Sequence, residues 1–133
     1  MGGLIIGREK YQLETRPIAV NGSNDAAYFR RKTAADIASW NKRYSPQQEI
    51  SPSAIDIIDG YVGPGYARAE PVIFDTIKWL AQLEGVILDP VYTGKAFYGM
   101  IQEIKAGKFQ HSKCLVFLHT GGIFGLFPQK SQF

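Results

Sequence analysis

An α/β fold with a parallel sheet flanked by helices is predicted by three features of this sequence. Short apolar runs alternate with segments of helical periodicity, the order from which parallel sheets are built. One such run closes in Asp89-Pro90; a polar corner, Tyr92-Thr93-Gly94, follows, and a helical pattern opens at once. Three corners are rich in glycine and hydroxyl groups, namely Gly63 to Tyr66, Tyr92 to Gly94 and Thr120 to Gly122. The carboxyl ends of parallel strands share one edge, where ligands of such sheets gather, so the corners are expected to converge.

Each element has its own local reason. Leu4 to Glu14 reads as a short helix and Pro17-Ile18-Ala19-Val20 as a short strand, closed by the turn residues Asn21-Gly22-Ser23. A helix follows from Asn24, with Ser23 or Asn24 as its cap and Ala27, Ile37 and Trp40 facing inward. Lys42-Arg43 suit its negative end. Ser45 to Ser53 is proline-containing and polar, a loop. The apolar and acidic stretch Ile55 to Val62 leads into Gly63-Pro64-Gly65-Tyr66, an irregular corner. Pro71 fits a helix's first turn, Ile73, Ile77, Leu80 and Ala81 recur at helical spacing, and Gly85 stands where a terminating glycine is expected. Thr93 is placed to cap a helix with Phe97, Met100, Ile101 and Ile104 on one face, Lys105 near its end and Gly107 as terminator. Lys113 to His119 reads as a buried strand, followed by Thr120-Gly121-Gly122 and a short apolar helical turn to Phe127.

Composition narrows the possible functions. A chain of 133 residues with 45% hydrophobic and 20% charged residues suits one soluble globular domain. The net charge is only +3, and its densest basic cluster, Arg30-Arg31-Lys32, lies in a helical pattern; a solvated helix face is expected, with no nucleic-acid partner. One cysteine excludes an intrachain disulfide and is consistent with a reducing cytoplasm; Cys114, within Cys-Leu-Val-Phe-Leu, is expected to be a buried structural thiol. Two histidines and one cysteine supply no transition-metal set. No apolar stretch approaches the ~20 residues of a membrane span. The start Met-Gly-Gly-Leu-Ile-Ile-Gly lacks a charged leader, and Ile6 occupies the place of the Ser or Thr of a myristoylation signal.

Three ordered segments carry a family resemblance. Glu84 to Ala96, which reads Glu-Gly-Val-Ile-Leu-Asp-Pro-Val-Tyr-Thr-Gly-Lys-Ala, resembles the pyridoxal-phosphate enzymes grouped as D-cysteine desulfhydrase and 1-aminocyclopropane-1-carboxylate deaminase. Phe117-Leu118-His119-Thr120-Gly121-Gly122 and Asp59-Gly60-Tyr61-Val62-Gly63-Pro64-Gly65-Tyr66 do so as well. Gly2 to Gly7 is similar to the start of the helix after the family's phosphate-binding loop. The resemblance implies a partial three-layer parallel sheet of fold type II, similar to tryptophan synthase β chains. It places the Schiff-base lysine, a substrate-gripping serine loop, the phosphate loop and a smaller domain in preceding sequence. Residues 1–133 are thus expected to be one partial domain, the C-terminal part of the large domain.

The resemblance also implies roles. Tyr66 and Tyr92 resemble the two tyrosines that face cofactor and substrate; on residue type alone they would be structural tyrosines with anchored hydroxyls. Thr93 occupies a position that is typically Glu in the deaminase type, where a carboxylate holds the pyridine nitrogen protonated. A neutral hydroxyl makes a weaker electron sink, which suits β-elimination of a good leaving group; the plain alternative is a helix cap. Thr120 resembles a second hydroxyl near the ring, with Gly121-Gly122 permitting close backbone approach. Lys95 falls outside the Schiff-base role and is expected to be a surface or packing residue. His119 is expected to be a satisfied structural histidine, and Arg8 solvated. The resulting expectation is an inactive portion of an enzyme that resembles D-cysteine desulfhydrase, using pyridoxal 5′-phosphate to turn D-cysteine into pyruvate, hydrogen sulfide and ammonia. The complete enzyme would be a homodimer acting on a small amino acid. Deamination of 1-aminocyclopropane-1-carboxylate to 2-oxobutanoate is the alternative reaction, and a non-catalytic module that binds a partner chain is the alternative of another class.

Overall fold

A computed structural model describes residues 1–44 and 50–133, so part of the loop expected from Ser45 to Ser53 lies outside the described residues. The chain forms two compact units, Met1–Asp59 and Gly60–Phe133.

The first unit contains α1 (Gly2–Tyr11), β1 (Ala19–Val20), α2 (Ala26–Tyr44), a 3-10 turn (Pro52–Ala54) and β2 (Ile57–Ile58). The strands pair in parallel, Ala19 opposite Ile57 and Val20 opposite Ile58. Parallel pairing needs a long crossover, and α2 lies within it. Ile5, Ile37 and Ile55 form the core, and Gly2 lets α1 approach α2 closely, since a Cβ there would lie 3.3 Å from Ile37 Cγ1.

The start of α2 differs from the sequence expectation. Its cap is Asp25, whose Oδ1 accepts the Tyr28 N–H at 2.7 Å, rather than Ser23 or Asn24. Asn21, 3% exposed, instead accepts the Ser23 N–H and donates to Asp59 Oδ1 at 2.9 Å. Asp59 Oδ2 accepts the first helical N–H, from Ala26. The side chain immediately after β1 thus ties the strand to the carboxylate that follows β2. The buried stripe is Ala26, Thr33 and Ile37; Ala27, one residue and so about 100° round the helix, is exposed, as is Trp40. Arg30 is half-buried and donates to the carbonyls of Ile55 and Ile57, so it braces β2 instead of joining a solvated basic face. Lys32 does face solvent, paired with Asp36 one turn on.

The second unit holds α3 (Pro71–Glu84), α4 (Thr93–Lys105) and a 3-10 segment (Ile123–Gln132) that extends past the expected stop at Phe127. Helix α3 opens on Pro71 and closes on Gly85 at φ 67°. Its Ile73, Ile77 and Leu80 pack with Leu88. On α4, Phe97, Met100 and Ile101 are half-buried, but Ile104 is 45% exposed.

The expected strand Lys113–His119 does not form: the run pairs with no other segment among the described residues, and it is not buried. Phe117 alone turns inward, edge-on to Phe97 at 5.1 Å, while Val116 is 84% exposed. Cys114 is exposed too, a correction to the buried thiol. An apolar run becomes a buried strand only when another strand pairs with it and a layer covers it. Among the described residues, no helix is long and apolar enough to cross a membrane.

Candidate functional site

The three glycine and hydroxyl-rich corners meet within the second unit, and Asp89 is the hub of two of them, Tyr92 to Gly94 and Thr120 to Gly122. Asp89 is 0% exposed. Oδ2 accepts the N–H groups of Val91 and Tyr92 at 2.7 and 2.8 Å. Oδ1 accepts the Thr93 N–H at 2.8 Å and the Thr93 hydroxyl at 2.6 Å. These backbone donors lead into the first turn of α4, which has no earlier carbonyl to bind them, and a carboxylate there also faces the positive end of the helix dipole. Asp89 therefore carries the capping role that sequence reasoning gave to Thr93. The Thr93 hydroxyl accepts the Asp89 N–H at 2.9 Å, closing a two-way link.

Thr93 is 2% exposed and its single proton goes to Asp89. A hydroxyl has one donor and two acceptor lone pairs, so one lone pair is what it retains for any other group.

The corner Thr120 to Gly122 packs on the same carboxylate. A Cβ on Gly122 would lie 2.6 Å from Asp89 Oδ1, and its φ of +94° disfavours any side chain. The close approach expected of Gly121-Gly122 is thus made by Gly122, onto Asp89. Gly121 also has positive φ, +92°, with open space where a Cβ would stand. His119 fixes this corner: Nδ1 accepts the Gly121 N–H and Nε2 faces the Ile87 carbonyl, both at 3.0 Å. That pattern requires the proton on Nε2, so the ring is satisfied at both nitrogens. Thr120 is exposed.

The corner Gly63 to Tyr66 joins from the other side. Tyr66 and Tyr92 hydroxyls lie 2.5 Å apart, with ring centroids at 5.8 Å. Both rings remain substantially exposed, 59% and 46%. The hydrogen bond to Tyr66, then desolvation and the negative charge of Asp89, raise the Tyr92 pKa. The Tyr92 phenol therefore holds its proton more firmly than an ordinary tyrosine. A phenol hydroxyl in such a contact can donate or accept a hydrogen bond.

Lys95 sits beneath this corner and takes the buried one of the two expected alternatives, surface or packing. It is 1% exposed and donates to the carbonyls of Val62 at 2.6 Å and Gly65 at 2.9 Å. Burial lowers its pKa, opposed by Glu70 and Asp89. Asp89 and Lys95 are the residues that sequence reasoning missed. The signal for Asp89 was an aspartate four residues ahead of a helix's first residue, a common source of backbone acceptors. For Lys95 it was a cation in a helix's first turn, where the dipole opposes it. Arg8 is at the surface beside Glu9, at 3.6 Å.

Comparison with known proteins gives a consistent picture. The sequence profile of the family described as "Pyridoxal-phosphate dependent enzyme" matches residues 1–121. A Thermotoga maritima protein named "Putative 1-aminocyclopropane-1-carboxylate deaminase" is 45% identical over 133 residues, which are 99% of this chain and 40% of that protein. The crystal structure of an ACC deaminase homologue matches with a TM-score of 0.85 at 27% identity, covering 98% of this chain and 38% of its own. The chain thus spans well under half the length of these relatives.

Proposed function

Since this chain belongs to the pyridoxal-phosphate-dependent enzyme family, we propose that it forms the Tyr66–Tyr92 side of the site of an enzyme that eliminates sulfide from D-cysteine. The overall reaction, D-cysteine plus water to pyruvate, hydrogen sulfide and ammonia, needs a carbanion-stabilising group, and pyridoxal phosphate supplies that electron sink when bound.

The residues present suit the group. Thr93 and Thr120 would offer hydroxyl oxygens at the ring, and the open face of Gly121 admits a flat ligand without a side chain in the way. Tyr66 and Tyr92 present a pair of phenol hydroxyls in contact, suited to hydrogen-bond the departing sulfur or to return a proton to carbon. The observation that carries the choice of reaction is Thr93: its hydroxyl is neutral and already donates to Asp89. It lacks the formal charge that strongly retains a proton on a ring nitrogen. Elimination of sulfide, a good leaving group, tolerates that weaker environment.

Lys95, the lysine described beneath these phenols, is committed to two carbonyls and is not free to hold the cofactor covalently. The resemblance puts the anchoring lysine in the part of the relatives' length that this sequence does not span. We therefore expect the chain alone to be inactive. The test mixes purified chain with pyridoxal phosphate; the visible absorbance of a lysine-bound cofactor, together with sulfide release from D-cysteine, would refute the reading. A second reaction, 1-aminocyclopropane-1-carboxylate plus water to 2-oxobutanoate and ammonia, is favoured by the names of both relatives. Assaying the full-length enzyme on both substrates separates the two, and exclusive turnover of the cyclopropane would overturn the Thr93 argument.

A further inference from the structure

Lys95 stands against two penalties at once. Its ammonium is withdrawn from water, and it lies in the first turn of α4, whose exposed N–H groups make that end positive. A methionine or leucine would fill the same space with neither cost. What the ammonium obtains is a pair of carbonyls, Val62 and Gly65, in a corner whose glycines have φ of +66° at Gly63 and +136° at Gly65. Among the described residues this backbone joins no strand ladder, and only the Gly65 carbonyl has a backbone donor, the Arg68 N–H at 3.3 Å; the cation adds the restraint that ties Val62 to Gly65. Gly65 immediately precedes Tyr66, and Lys95 follows Tyr92 by three residues on the same turn. The ammonium thus closes a ring whose other closure is the contact between the two hydroxyls.

We propose that Lys95 is a positioning residue: by holding the Val62 and Gly65 carbonyls it sets the Tyr66 hydroxyl against that of Tyr92 and so assembles the phenol pair. The proposal rests on the functional reading of these tyrosines only for its consequence in the reaction. The pair itself is observable without cofactor, so the two ideas fail separately.

The test uses the full chain carrying 3-fluorotyrosine, with the fluorine resonances of Tyr66 and Tyr92 assigned through Tyr66→Phe and Tyr92→Phe. The groups that act on Tyr92 are Tyr66 and Asp89. Its titration midpoint should lie above that of free 3-fluorotyrosine and should drop in Tyr66→Phe. In Lys95→Met the Tyr92 midpoint should fall to the Tyr66→Phe value while the circular dichroism of the helices is kept. Lys95→Arg should restore part of the shift. A folded Lys95→Met variant with an unchanged Tyr92 midpoint overturns the proposal. If Lys95→Met does not fold, Lys95→Leu, which likewise has no donor, is read the same way. Failure of both to fold, with Tyr66→Phe folding normally, also overturns it, since Lys95 would then serve stability rather than the pair.

Discussion

Asp89→Asn is the substitution that tests the site's architecture most severely. The carboxylate accepts three backbone N–H groups and one hydroxyl within 2.6–2.8 Å. An asparagine of nearly identical shape must turn its NH2 toward one side. Facing Val91 and Tyr92, it opposes two N–H donors; facing Thr93, it opposes one, and the Thr93 hydroxyl can reverse to accept from it. The second orientation costs less and still leaves a buried N–H without an acceptor, about 1–3 kcal/mol. Bonds to the remaining two N–H groups lose charge assistance, about 1 kcal/mol each, and the lost charge at the helix start adds about 0.3–1 kcal/mol. The total is about 3–6 kcal/mol, a large part of the roughly 5–15 kcal/mol of a typical domain. Trp79 lies on α3 of the second unit and Trp40 on α2 of the first, so a Trp40→Phe background isolates the relevant signal. With an m-value of about 2 kcal/mol/M, the urea midpoint from Trp79 fluorescence should fall by about 2 M. A decrease under about 0.3 M would show that the carboxylate's charge and both oxygens are dispensable, and the hub argument would fail.

Further expectations concern neighbouring groups. Gly122→Ala combines positive φ with a Cβ 2.6 Å from Asp89 Oδ1 and should destabilise by about 2–4 kcal/mol, whereas Gly121→Ala, with the same sign of φ and open space, should cost only about 1–2 kcal/mol; equal losses would refute the close-approach account. Tyr61 has its pKa raised by desolvation and by its bond to Glu103, and Tyr92 by its bond to Tyr66. Both favour the protonated fold, so their contribution is complete below about pH 10 and is lost as pH rises through the folded values. Glu103, lowered chiefly by the Tyr61 hydrogen bond, contributes above about pH 4.3 and loses that contribution as pH falls through its folded value. Tyr61→Phe should therefore shrink both the acid and the alkaline fall of Tm against pH; unchanged limbs would count against the pairing. Arg16 forms a two-pronged pair with Asp56 at 2.6 and 2.9 Å, but the pair is exposed, so Arg16→Ala should change stability by less than about 1 kcal/mol in denaturant titration.

The elements that were legible in the sequence were those governed by their neighbours along the chain. Helices α3 and α4 follow from apolar spacing with Pro71, Gly85 and Gly107 as punctuation, and α1 was displaced only by its start at Gly2 and its stop at Tyr11. His119 was read as a satisfied structural residue, which its two hydrogen bonds match. The misread features depend on distant partners. Cys114 and the run to His119 were assigned to a buried strand, yet no described segment pairs with them. Arg30 belonged to a charge cluster until its guanidinium met the carbonyls of Ile55 and Ile57. Asp25 took the capping role expected of Ser23 or Asn24, because those residues are drawn into the turn organised by Asn21.

By itself the sequence determined the helix pattern, the three corners and the tyrosines, threonines and glycines within them, because propensity and spacing are local quantities. Tertiary structure decided what those groups have left to offer. It sent the Thr93 proton to Asp89, put the Tyr66 and Tyr92 hydroxyls together, and buried the Lys95 ammonium under the corner that carries Tyr66. A side chain's chemistry is set by the donors, acceptors and water around it, and at this site those come from residues up to some thirty positions away.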